Sequence, residues 1–154
     1  MYFFNNTIFQ EDNKGANGLG GSGRIIKHCT TRNNILHVRR EDQYSIAVNS
    51  NHEGNDFDYD LTSANCPPNH EKHGLKGIPQ YVPGAGFDTE YRTGVFQLAL
   101  GSIGIDAGVV IPNFCEMVNG DHPDLGAHES GTGKLQFGVR AQFTPPGILS
   151  TTRK

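Results

Sequence analysis

The chain has no tryptophan, two methionines and three cysteines in 154 residues, and it has no long apolar run. A membrane-spanning helix needs about 20 consecutive apolar residues, so the sequence predicts no membrane span. The formal net charge of −3 lacks the basic excess that binding to nucleic acid requires. Cys29, Cys66 and Cys115 lack CxxC spacing, which disfavours a zinc site. Free thiols, or one bridge and one free thiol, are both compatible with this count.

Glycine and polar residues are what the chain has in abundance. It contains 20 glycines and 8 prolines, and only 35% of its residues are hydrophobic. This composition favours short strands joined by many turns over a helical bundle, which would need long apolar segments with helical periodicity. The length suits one domain. The sequence therefore predicts a single all-β domain.

A short motif recurs near the amino terminus. Asn5–Phe9 (NNTIF) is followed 28 residues later by Asn33–His37 (NNILH), with a weaker echo at Asn55–Tyr59 (NDFDY). Such spacing is typical of stacked repeat units, each of which buries its apolar face against the next. Inward asparagines in such a stack can form a hydrogen-bonded ladder, whereas the alternative is two unrelated Asn-rich turns.

Short β-prone runs surround this motif. We expect strands at Arg24–Cys29, Asn34–Val38 and Tyr44–Val48. Asp12–Gly23 (DNKGANGLGGSG) predicts a flexible turn insert, and no strand-to-long-helix pattern supports a phosphate loop there.

The segment Asn55–Leu61 (NDFDYDL) alternates between apolar and acidic residues. A strand here would bury one row of side chains and project the other outward. The buried row would be Phe57, Tyr59 and Leu61, and the outward row Asp56, Asp58 and Asp60. Three like charges on one face repel unless they are solvated or share a cation, and an all-oxygen set suits Ca²⁺. Asp56, Asp58 and Asp60 are thus candidate calcium ligands, with a solvated acidic edge as the alternative.

The next segment, Asn65–Gly77, contains Pro67-Pro68 and the cluster His70, Glu71 and His73. The prolines prevent regular structure, so we expect a mobile surface loop here rather than a metal site.

The stretch Gly101–Glu129 carries the most specific pattern. It opens with Ser102-Ile-Gly-Ile-Asp-Ala-Gly and closes with Pro123-Asp-Leu-Gly-Ala-His-Glu. This pair resembles the closing signature of secreted bacterial right-handed parallel β-helix proteins of the pectate-lyase-like type, which is close to "SPAIDAG … PDIGAYE". The resemblance covers Ile78–Glu129 well, although the proline after Ser102 is absent here.

The resemblance implies a right-handed parallel β-helix solenoid of a few coils, closed at its C-terminal end by a cap, over residues 1–129. Residues 130–154 would add an amphipathic strand at 135–143 and a tail. Because relatives of this type are longer and secreted, and Met1–Phe4 does not begin a signal peptide, we expect the C-terminal part of a longer secreted or cell-surface protein.

The closing stretch has two interpretations. In the structural one, Asp106, Asp124 and Glu129 serve the fold: the two aspartates accept hydrogen bonds from backbone N–H groups, Gly108 and Gly126 take positive φ, and apolar side chains plug the end of the solenoid. In the catalytic one, Asp106 and Asp124 form an acid–base pair for glycoside hydrolysis. We favour the structural interpretation because the motif marks where the fold ends.

Two functions follow from the resemblance. The first is a coil-and-cap module of a carbohydrate-directed protein, without a complete active site. The second is a polysaccharide lyase or glycoside hydrolase acting on an acidic polysaccharide. Such a lyase needs a general base, for which the candidates are Lys27, His28, Arg32 and His37. Self-association is expected through the N-terminal coil or the 135–143 strand.

Overall fold

The computed structural model describes residues 1–10, 17–20, 25–48, 53–88, 93–116 and 118–133. These residues form an all-β fold in which no helix occurs. Eleven short strands follow one another along the chain: β1 Tyr2–Phe4, β2 Thr7–Gln10, β3 Asn17–Gly20, β4 Thr30–Arg32, β5 Ile35–Val38, β6 Tyr44–Ala47, β7 Asp56–Phe57, β8 Leu61–Thr62, β9 Leu75–Lys76, β10 Gly86–Asp88 and β11 Thr93–Val95.

Nine of these strands form three parallel sheets. Sheet 1 has the order β1-β4-β7, sheet 2 the order β2-β5-β8-β9, and sheet 3 pairs β3 with β6. The chain visits sheets 1, 2 and 3 in that order twice, then returns to sheet 1 with β7 and to sheet 2 with β8. A bridge from Tyr44 to Asn65 continues sheet 3 beside β6. Strands β10 and β11 form a separate antiparallel hairpin.

The repeated asparagines occupy equivalent corners between sheets 1 and 2. Pairing of β2 with β5 and of β5 with β8 aligns Asn5, Asn33 and Tyr59. All three have positive φ, at 52°, 58° and 62°. The expected third repeat at residues 55–59 was therefore in the wrong register, by four residues. Asparagine adopts this left-handed region readily, whereas Tyr59 does not, which hides the repeat from a search for Asn-Asn.

The expected asparagine ladder is present. Asn34 Oδ1 accepts hydrogen bonds from the backbone N–H of Asn6 at 2.9 Å and from its side-chain amide at 3.1 Å. The Asn34 amide donates in turn to Asp60 Oδ1 at 2.8 Å. The third rung is thus a buried carboxylate instead of an asparagine.

Apolar side chains pack on both faces of sheet 2. The neighbours Ile35 and Leu36 are both fully buried, and they face opposite sides of the strand. Leu36 packs between the sheets with Phe57, along with Cys29 and Ile46. Ile35 packs on the outer face with Leu61, along with Leu98 and Leu125. Sheet 2 therefore needs a covering layer on its outside.

The closing segment supplies that layer. Leu125 packs on Ile35 and Leu61, the Gly126 N–H donates to Asn33 O at 2.7 Å, and the Ala127 N–H donates to Thr7 Oγ1 at 3.0 Å. These contacts run along β2, β5 and β8, so the expectation that the segment plugs the end of the stack is wrong. The physical reason is the apolar outer face of sheet 2, which the segment shields from water.

Two local expectations also need correction. Residues 17–20, within the predicted flexible insert, form β3, because Gly18 and Gly20 let the chain approach β6 closely; a Cβ on Gly20 would lie 2.2 Å from Ala47 O. The other residues of the insert's flanks, 12–16 and 21–23, lie outside the described residues. No strand covers residues 25–29; the strand begins at Thr30. The strands predicted at Asn34–Val38 and Tyr44–Val48 are confirmed within one residue at either end.

All three cysteines are free thiols. Burial raises the pKa of the Cys66 thiol to about 12, so it stays protonated at neutral pH. No helix in the described part of the chain is long and apolar enough to cross a membrane. The predicted 135–143 strand, and most of the predicted 130–154 segment, lie outside the described residues.

Candidate functional site

The outer face of sheet 1 carries most of the exposed aromatic and charged groups discussed below. Alternation along β1 points Phe3 inward, where it packs against the core, and places Tyr2 and Phe4 on the outside. The parallel register continues these two outer rows across β4 and β7. Arg32 lies beside Phe4, and Asp56 ends the row that begins at Tyr2.

Aromatic rings form one end of this face. The ring centroids of Tyr2 and Phe4 are 5.6 Å apart, and those of Phe4 and Phe114 are 5.5 Å apart in an edge-to-face arrangement. Tyr2 is 75% exposed and Phe114 is 68% exposed. Phe114 comes from the closing segment, so the fold brings it to sheet 1 from more than eighty residues away. Exposed aromatic clusters of this kind mark binding surfaces more often than single exposed apolar residues do.

Charged groups form the middle of the face. Arg32 Nη2 makes an ion pair with Asp56 Oδ2 at 2.6 Å, and its guanidinium carbon lies 5.5 Å from the centre of the Tyr59 ring. The guanidinium is thus held in place by a carboxylate and an aromatic ring, with Asp56 still largely exposed.

A polar cleft of about 340 Å³ forms the other end. Its walls include Asp58, His73 and Lys72. His73 Nδ1 lies 2.7 Å from Asp58 Oδ2, and the His73 ring stacks on Tyr59 at 4.8 Å with an interplanar angle of 13°. Burial raises the pKa of Asp58, but hydrogen bonds from the His73 ring, the His73 N–H and the Tyr59 N–H outweigh it and lower the pKa overall.

The loop after Pro67-Pro68 is packed against the sheets, which corrects the expectation of a mobile surface loop. The His70 ring packs on Phe57 at 4.9 Å, and burial lowers its pKa. The Glu71 N–H donates to Phe57 O at 2.8 Å, and Glu71 Oε2 accepts from the Asp60 N–H at 2.9 Å. Strand β9 then pairs with β8. The prolines prevent a regular element at their own position only.

The three candidate calcium ligands are not brought together. Strand β7 ends at Phe57 and β8 starts at Leu61, so the expected continuous strand is interrupted by the left-handed turn at Tyr59. Asp56 pairs with Arg32, Asp58 with His73, and Asp60 is fully buried. Among the described residues, no three His, Cys, Asp or Glu side chains are grouped to hold a metal ion. Calcium binding gains no support from this geometry.

Of the four candidate bases, only Arg32 lies at this site. Lys27 pairs with Glu53 at 3.2 Å. His28 adopts positive φ, and its carbonyl accepts a bond from the amino terminus at 2.8 Å. His37 is half-buried on the outer face of sheet 2, stacked on Tyr81, and burial lowers its pKa.

The carboxylates of the closing segment hold its backbone, as the structural interpretation expected. Asp124 accepts from the N–H groups of Asp106 at 2.8 Å and Ser130 at 2.7 Å. Asp106 accepts from Asp121 at 3.0 Å, and Glu129 accepts from Asp124 at 2.9 Å. Gly126 has the expected positive φ of 96°, but at the other position it is Asp106 that does, at 52°. Gly108 instead allows close packing, since a Cβ there would lie 2.8 Å from Pro123 O.

Tyr59, His73 and Phe114 were not selected from the sequence. The missed signal for Tyr59 is the 26-residue offset that aligns it with Asn33, because that offset identifies a corner. His73 then follows Tyr59 by the same 14 residues that separate the paired Leu61 and Leu75. For Phe114 the sequence carries no comparable signal.

Comparison of the chain with protein-family models, with curated proteins and with solved structures gives no match. Membership of the pectate-lyase-like group is therefore a proposal.

Proposed function

We propose that the chain forms C-terminal coils of a right-handed parallel β-helix, in a secreted or cell-surface protein, and that it binds an acidic polysaccharide without a complete active site of its own. The repeated visit to three parallel sheets supports the coil architecture. The offsets of 28 residues from Asn6 to Asn34 and 26 residues from Asn34 to Asp60 support it further, because constant offsets are typical of stacked coils.

The observation that carries the binding proposal is the outer face of sheet 1. Its aromatic rings, guanidinium and cleft lie in sequence across three neighbouring strands. Strands are spaced by about 4.8 Å, so this face offers an extended ligand a path of about 10 Å between β1 and β7. Exposed rings supply apolar contact area, and a guanidinium matches the planar carboxylate of a uronic acid.

The proposal is tested by electrophoresis through gels containing either a polyuronate or a neutral glucan. We expect the polyuronate to retard the wild-type protein. Phe114→Ala and Arg32→Gln reduce the retardation, while Leu100→Ala, which removes another exposed apolar side chain, leaves it unchanged. Adding a chelator tests the calcium prediction in the same gels. Equal mobility of the wild type in all gels contradicts the proposal.

One observation favours a second candidate, a polyuronate lyase. Asp58 fixes the Nδ1–H of His73, which leaves Nε2 free to act as a base in the cleft. His73 would take the proton next to the uronate carboxyl, the leaving oxygen at the adjacent carbon would depart with a solvent proton, and a double bond would form. Unsaturated products would then absorb ultraviolet light, and His73→Gln would abolish their formation.

A further inference from the structure

Two buried carboxyl groups meet beneath the loop that walls the cleft. Asp60 is fully buried, and its Oδ1 accepts from the Asn34 N–H and from the Asn34 amide, both at 2.8 Å. Its Oδ2 accepts from the Thr31 hydroxyl. Three donors around Asp60 favour the ionised form of this residue.

Glu71 is placed differently. Its Oε2 accepts from the Asp60 N–H at 2.9 Å, but its Oε1 is buried without a donor among the described residues. Its side chain lies within hydrogen-bonding reach of the Asp60 carboxyl. Neither acid belongs to an ion pair in the described part of the chain. A carboxyl oxygen with no donor of its own is best satisfied when Glu71 is protonated and donates to Asp60.

The surroundings do not supply a compensating cation. Sheet 1 and its corner contribute the neutral groups of Thr31 and Asn34, and Asp58 adds a second negative charge near Glu71. On the loop side, the depression lined by Glu71 also contains the Cys66 thiol, the His70 ring and Lys76. The ammonium of Lys76 acts on Cys66, whereas neither acid is influenced by it measurably.

We propose that Asp60 and Glu71 share one proton, and that this proton holds the loop carrying His70, Lys72 and His73 against sheets 1 and 2. Two carboxylates in one poorly hydrated site repel each other strongly, so the second ionisation is disfavoured while the loop is docked. The device is a pH-dependent latch on one wall of the cleft. It does not depend on whether the cleft binds a glycan.

The direction of the pH dependence follows from the buried pair. Burial, followed by the charge of Asp60, raises the pKa of Glu71 to about 8. An undocked Glu71 regains the ordinary carboxyl pKa, about 4.3. Docking is therefore fully favoured below the ordinary value and loses stability as pH rises to about 8. In this window, undocking releases one proton, so the opening equilibrium constant rises up to tenfold per pH unit.

Amide hydrogen exchange measured by NMR between pH 5 and pH 9, corrected for intrinsic exchange rates, tests the latch. In the wild type we expect protection of the Glu71 and His73 amides to fall up to tenfold per pH unit and to level off near pH 8. Both amides donate within the docked loop, to Phe57 O and to Asp58 Oδ1. The Ile35 amide, which bonds to Asn6 O, should show no such fall.

Glu71→Gln is the decisive variant, because a neutral amide can donate to Asp60 without titrating. We expect its protection to be independent of pH, while the exposed control Glu41→Gln keeps the wild-type profile. Asp60→Asn, which restores an asparagine rung, should shift the fall to lower pH, and it replaces Glu71→Gln if that variant does not fold. A flat wild-type profile, or a wild-type profile in either Glu71→Gln or Asp60→Asn, overturns the proposal.

Discussion

Replacing Asn34 with alanine tests the ladder that joins the three passes of the chain. Asn34 is fully buried and makes four side-chain hydrogen bonds. Its Oδ1 accepts two from Asn6, at 2.9 and 3.1 Å, and its amide donates to Phe3 O and to Asp60 Oδ1, both at 2.8 Å. Alanine removes all four and leaves their partners inside.

The size of the effect depends on which partners water can reach. A buried polar group without a partner costs about 1–3 kcal/mol. Asp60 is fully buried but keeps two other donors, whereas the Asn6 and Phe3 groups are partly buried and regain some hydration. We therefore expect Asn34→Ala to lower the free energy of unfolding by about 2–4 kcal/mol. Domains of this kind are stable by only about 5–15 kcal/mol.

Urea denaturation followed by far-ultraviolet circular dichroism measures this loss. With a slope of about 1–3 kcal/mol per molar urea, the midpoint should fall by about 1–2 M. Asn69→Ala, an exposed asparagine in the proline-containing loop, serves as the control and should leave the midpoint nearly unchanged. If the two variants lose equal stability, the ladder does not hold the sheets together.

Two further substitutions probe the closing segment. His128 is 2% exposed and neither ring nitrogen has a partner among the described residues, so His128→Phe should raise the free energy of unfolding by about 1–3 kcal/mol; a loss of stability in urea would show that the ring nitrogens are satisfied. Gly126→Ala should lower the free energy of unfolding by about 1–3 kcal/mol, because φ is 96° and the new Cβ would lie 2.7 Å from Ile35 Cδ1. Gly133→Ala, where a Cβ meets nothing within 4 Å, is the control, and equal melting temperatures for the two glycine variants would refute the close contact.

The all-β class and the ladder were predictable because asparagine has both properties that a corner requires. Asn5 and Asn33 tolerate positive φ, and Asn6 and Asn34 can donate and accept along a stack. At the third corner these jobs pass to Tyr59 and Asp60, whose partners are non-local. The alternation of Asp56 to Leu61 then predicts a strand that the corner interrupts.

The covering role of the closing segment was harder to predict. The adjacent buried residues Ile35 and Leu36 indicate a strand that is buried on both faces, which requires a layer outside sheet 2. That signal is present in the sequence, but it does not say which segment provides the layer. The same limit applies to Phe114, which reaches sheet 1 only because the closing segment folds back along the outside.

The most direct test of the account is an NMR titration of the ¹⁵N-labelled protein with a short polyuronate. The account predicts that the largest chemical-shift changes fall on the outer face of sheet 1 and its cleft, at Tyr2, Arg32, His73 and Phe114. It also predicts small changes at His37 on the outer face of sheet 2. Changes centred on His37 and Tyr81, or no saturable change at all, would contradict the assignment of sheet 1 as the binding face.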